Sequence, residues 1–63
     1  MDTTAVRTAW EYRLEPLEFS PLDFDDPIEL NSFGAEGWEL ISVQANPTPG
    51  AAPFLCFFKR PKL

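Results

Sequence analysis

The 63-residue sequence contains no histidine, a single cysteine, three glycines and only five basic residues. Without histidine it has no side chain whose ordinary pKa suits general-base work at neutral pH. One cysteine cannot close an internal disulfide, and Cys56 lies inside the apolar run "FLCFF", where a free cysteine behaves as a small buried hydrophobe. A reduced, cytoplasmic setting is therefore expected. No stretch approaches the roughly 20 apolar residues that span a bilayer, and "MDTTAVRTAW" lacks the basic-then-apolar order of a signal peptide, so no membrane partner is expected. Ten acidic residues against five basic ones leave a net charge of -5. That field repels phosphate backbones and attracts basic surfaces, which makes nucleic acid a disfavoured partner and a basic protein a favoured one. Neither a P-loop, a G-x-G-x-x-G loop nor a metal-ligand spacing occurs. The expectation is a non-enzymatic protein with no catalytic residue, cofactor or metal.

What is present points to a folded domain. Aromatic residues make up 14% of the chain, whereas disorder goes with low hydrophobicity. A single domain of this size buries only about 60% of the surface its unfolded chain exposes. The usual supports are disulfides, a structural metal or oligomerisation. With the first two absent, a homo-oligomer is expected.

The chain divides at its prolines and glycines. Over about residues 5–15 apolar and charged positions alternate, Val6, Thr8, Trp10, Tyr12 and Leu14 against Arg7, Glu11 and Arg13, the period of a strand. Pro16, with no N–H to donate, is expected to weaken or end its ladder. The acidic, proline-bearing loop 16–26, "PLEFSPLDFDD", carries Leu17, Phe19, Leu22 and Phe24. These either fold back over the edge of a small core or form an exposed apolar and acidic contact segment. A short helix is predicted over about 27–36, with Asp26 as N-cap, Pro27 at the first helical position and Glu29 completing a capping box. Those acids complement the helix dipole, a simpler account than a Ca²⁺ site, which needs six or more oxygens.

Within that helix Leu30, Phe33 and Gly34 share one face, and Gly34 is expected to let the backbone lie close against Trp10 or Tyr12. Gly37 suits a left-handed C′ position, with Trp38 as C″ packing on Phe33 as C3. Phe33, Gly34, Gly37 and Trp38 thus form a structural joint. A strand over about 38–45 is predicted to put Trp38, Leu40 and Ser42 on one face and Glu39, Ile41 and Val43 on the other. A mobile Pro/Gly loop, 46–53, leads to a third strand over about 54–60, apolar on both faces, Phe54, Cys56 and Phe58 against Leu55, Phe57 and Lys59. Such a strand is buried on both sides, and one short helix covers only one. Ile41, Val43, Leu55 and Phe57, with Phe19, Leu22 and Phe24, are the candidate interface.

The blocks "WEYR", "LNSFGAEGWELISV" and "FFKRPK" resemble a family of small bacterial and phage proteins, domain-of-unknown-function family 4177. Leu30, Asn31, Gly34, Glu36, Gly37, Trp38, Glu39, Leu40, Ser42 and Val43 fall at matching places, and Phe33 replaces a usual leucine. The resemblance covers nearly the whole chain and departs in "PLEFSPLDFDD" and "NPTPGAAP". It implies a β-α-β-β domain and a prokaryotic or viral origin, and it brings no catalytic residue.

The expected fold is α+β, a three-stranded, mostly antiparallel sheet with one short helix on one face and the third strand in the middle. The functional expectation is an interaction module that self-associates through its open sheet face and engages a protein partner. Alternatives are a small-ligand binder at an oligomer interface, or single-stranded nucleic-acid binding by stacking on Trp10, Tyr12 and Phe57. Glu36 and Glu39 are formally an acid/base pair, although surface glutamates are ordinarily solvated.

Overall fold

Three strands and one helix follow in chain order in the computed structural model, which describes residues 7–63. They are β1 (Trp10–Leu17), α1 (Ile28–Ala35), β2 (Glu39–Ala45) and β3 (Phe54–Pro61), with a 3-10 turn at Pro21–Asp23 between β1 and α1. Residues 5 and 6, at the start of the expected first strand, lie outside the described residues. The sheet is antiparallel in the order β1-β3-β2, so β1 and β2 flank the most apolar strand. The fold is a small α+β domain of β-α-β-β order.

Pro16 does not end β1, which runs on to Leu17 with Pro16 opposite Leu55. β1 is an edge strand, and an edge tolerates a proline whose missing N–H would face away from its neighbour. The helix begins one residue later than its acidic start signal implies. Pro27 is the N-cap, its carbonyl accepting the Asn31 N–H at 2.8 Å, while the Asp26 carboxylate accepts instead from Asn31 Nδ2 at 3.3 Å. The reciprocal capping contact sits upstream, where the Ser20 N–H donates to the Asp23 carboxylate at 2.7 Å and closes the 3-10 turn.

The C-terminal end of α1 is a Schellman ending. Trp38 N–H donates to the Phe33 carbonyl at 3.0 Å and Gly37 N–H to the Gly34 carbonyl at 2.9 Å, with Gly37 at φ +92°. Gly34 behaves otherwise than expected. A Cβ built there meets nothing within 4 Å, so it permits no close approach, and Trp10 and Tyr12 are on the other side of the sheet. The loop after β2 is tied at its base by Asn46, whose N–H reaches the Pro53 carbonyl at 2.8 Å and whose Nδ2 reaches the Ala52 carbonyl at 2.9 Å.

Two findings change the assignment of faces. In β2 the register slips between Leu40 and Ser42, leaving Ile41 as the extra residue of a bulge. Because side chains alternate with a period of two, one inserted residue reverses parity beyond it. Leu40 opposes Phe58 and Val43 opposes Cys56, so both share the helix side, and Val43 parts company with Leu55 and Phe57. In β1 the helix covers the charged face. Glu11, Arg13, Glu15 and Leu17 are paired with Arg60, Phe58, Cys56 and Phe54, and they are the less exposed set of the strand. The core beneath the helix is small. Among the described residues only Leu17, Cys56 and Phe58 are buried hydrophobics, with Phe19, Leu30, Phe33 and Trp38 packed around them.

Candidate functional site

The face of the sheet opposite α1 carries an apolar row that the helix does not cover. Strand alternation and register put Trp10, Tyr12 and Leu14 of β1 beside Leu55 and Phe57 of β3 there, with Lys59 and, from β2, Glu39, Ser42 and Gln44. Tyr12 is 67% and Leu14 57% exposed, values that leave these side chains without a cover. The Lys59 ammonium sits 4.4 Å from the centre of the Trp10 ring, a cation–π contact at the end of the apolar row.

On the helix side a cation-aromatic cluster replaces the apolar packing that β1 would otherwise supply. The Arg13 guanidinium lies 4.7 Å from the Phe33 ring centre and 5.6 Å from that of Trp38. Arg60 stacks on Trp38 at 4.2 Å, donates from Nε to Glu11 at 2.6 Å and from Nη1 to the Glu36 carbonyl at 2.7 Å. The guanidinium heads lie over the aromatic rings while their N–H groups find carboxylates, which explains how charged residues come to lie under a helix. Phe33 and Trp38 are therefore joined through Arg13 and Arg60, and Gly34 takes part through its carbonyl, which accepts the Gly37 N–H, and not by a close approach. An open trough of about 580 Å³ at this end is lined by Glu11, Glu36, Gly37, Arg60, Pro61, Lys62 and Leu63, but Arg60 is already committed to Glu11.

A second apolar surface opens beside the helix start. Phe19, Phe24, Pro27, Leu30 and Val43 line a groove of about 320 Å³ with Asp23 at its wall. The acidic loop divides between its two expected roles. Leu17 is buried and Phe19 packs on Phe54 with ring centres 5.6 Å apart, whereas Leu22 and Phe24 are 86% and 82% exposed. Of the candidate interface residues, Phe19, Phe24 and Val43 meet in this groove, Leu55 and Phe57 lie on the opposite face, and Ile41 sits exposed at the bulge. Pro27 and Leu30 were legible only as helix residues. Their place in a groove depends on the bulge that brings Val43 to their side.

Glu36 and Glu39 do not form a pair. Glu36 is the C-cap of α1, its carboxylate 3.9 Å from Arg13, and Glu39 is exposed opposite Lys59. Among the described residues no group of three acidic or thiol side chains is placed to hold a metal ion. Among the described residues no helix is long and apolar enough to cross a membrane. Cys56 is buried, and burial, with the nearby Glu29 carboxylate adding to it, pushes its thiol pKa above the ordinary value, which makes it a poor nucleophile. No protein-family model, curated protein or solved structure matches this chain.

Proposed function

We propose that the protein is a non-enzymatic, cytoplasmic interaction module that self-associates through the uncovered face of its sheet. The observation that carries this reading is the apolar row of Trp10, Tyr12, Leu14, Leu55 and Phe57 on the side opposite α1. A sheet with one apolar face bare gains by stacking on another at about 10 Å separation, and a two-fold arrangement would present the same patch from both copies. Membership in domain-of-unknown-function family 4177, and with it a phage or bacterial regulatory role, belongs to the same reading and rests on the three sequence blocks that resemble it. Sedimentation equilibrium tests self-association. A dimer at micromolar concentration that becomes monomeric in Leu14→Glu, with the circular dichroism spectrum unchanged, is the expected result, and a well-folded monomer at high micromolar concentration overturns it.

A specific observation favours a second reading. Trp10, Tyr12 and Phe57 share one face with Lys59, the combination of stacking rings and a cation that single-strand binders use. The net charge of -5 works against it. Filter binding of a single strand at low salt with micromolar affinity would put this reading first.

A further inference from the structure

We propose that the groove between the 3-10 turn, α1 and β2 binds a short basic segment of a partner protein, with an apolar side chain seated in the groove and flanking Lys or Arg side chains held by the acidic rim. This inference rests on the reading of the protein as a binding module and is independent of self-association through the sheet.

Shape, apolar content and charge point to the same occupant. The groove, at about 320 Å³, lies at the bottom of the range for small-molecule pockets, a size that suits one or two side chains. Its walls are Phe19, Phe24, Pro27, Leu30 and Val43, and the exposed Phe24 forms a lip that folding alone does not need. Asp23 lines the groove directly. Glu18, Asp25, Asp26 and Glu29 are the chain neighbours of Phe19, Phe24, Pro27 and Leu30 respectively, and all four are exposed. The ion pairs among the described residues use Glu11, Glu15 and Glu36, so no cation engages these carboxylates, although Asp23 and Asp26 accept hydrogen bonds from Ser20 and Asn31. From Leu14 to Phe58 the sequence holds eight of its ten acidic residues and no lysine or arginine. That stretch has no cation of its own, and Arg13, just outside it, pairs with Glu15 and Glu36 rather than with the acids beside the groove. A partner that fills the groove with an apolar group and brings cations to the rim satisfies both features. An acidic partner or a nucleic-acid strand would meet repulsion there.

The test is an NMR titration of the full-length, ¹⁵N-labelled protein with the peptide acetyl-KRSLFSKR-amide, beside a charge-reversed control, acetyl-EDSLFSDE-amide, that keeps the apolar pair. Saturable shifts confined to the amides of Phe19 to Leu30 and to Val43 are expected from the basic peptide alone, weakening as salt is raised. Phe24→Ser is expected to lower the affinity about tenfold or more, and Asp25→Lys to weaken it in a salt-dependent way. Both positions are exposed, so the fold survives either change. The proposal is overturned if the basic peptide gives no saturable shift, if the acidic peptide binds equally, if the shifts map to Tyr12, Leu14, Leu55 and Phe57, or if neither substitution alters affinity. Sedimentation of the same samples separates the two ideas. A dimer with no groove binding removes this inference alone, and a monomer that binds the peptide removes self-association alone.

Discussion

Gly34 and Gly37 stand three positions apart and obey opposite rules. Gly37 occupies φ +92°, where any L side chain is strained, although a Cβ there would meet only Arg60 Cδ at an ordinary 3.9 Å. Gly37→Ala is expected to lose about 1 kcal/mol or more through the backbone alone. Gly34 is helical and exposed, and a Cβ there meets nothing within 4 Å, so Gly34→Ala is expected to gain about 0.5 kcal/mol, the helix-propensity difference reduced by its place near the end of α1. Urea denaturation of the two variants checks both signs. Cys56 supplies a pH dependence. Its thiol holds its proton more tightly folded than unfolded, because the buried thiolate is poorly solvated and Glu29 repels it. The stability this contributes is complete below the ordinary thiol pKa of 9.0 and is lost as pH rises through the higher folded value. The urea midpoint is expected to fall as pH rises above 9.0, and to fall less in Cys56→Ala.

At the scale of the element, the helix is held less by an apolar stripe than by its C-terminal end. No residue of α1 is fully buried. Phe33 packs on Phe58 with ring centres 4.9 Å apart, and the chain beyond the helix is anchored where Arg60 of β3 grips the Glu36 carbonyl and stacks on Trp38. One guanidinium thus ties the helix end to β3 and, through Glu11, to β1. Arg60→Met keeps the stem and removes the head, and it is expected to lose about 1–2 kcal/mol, between the worth of an exposed ion pair and that of a hydrogen bond to a charged group. Arg60→Lys is expected to recover little, since an ammonium cannot serve Glu11, the carbonyl and the ring at once. Thermal unfolding of the two variants against the parent measures this.

At the scale of the molecule, the helix side carries, among the described residues, a core of three buried residues and the other side none that is closed off. Domains of this size are marginal without a further support. If sheet stacking is that support, the melting temperature is expected to rise with protein concentration by several degrees between about 10 μM and about 1 mM, through mass action. Leu14→Glu is expected to abolish that rise. A concentration-independent melting temperature in the parent protein would remove self-association as a stabilising element.

Much of the fold was legible because the signals are local. The alternation of β1 after Trp10, the glycine ending of α1, the doubly apolar β3 and the inward-facing Cys56 all follow from residues at most a few positions apart, and so does the β-α-β-β order. Antiparallel pairing with β3 in the centre also follows, since the most apolar strand gains most from two neighbours. Residue pattern alone could not say which face of β1 the helix covers. That choice depends on Arg60 meeting Glu11 across 49 positions and on Arg13 meeting Phe33 and Trp38, contacts that make a charged face the better bed for the helix. The bulge at Ile41 was equally hidden, because the unpaired residue is defined only against β3. By carrying Val43 to the helix side, that one residue turns a scattered set of apolar positions into a groove.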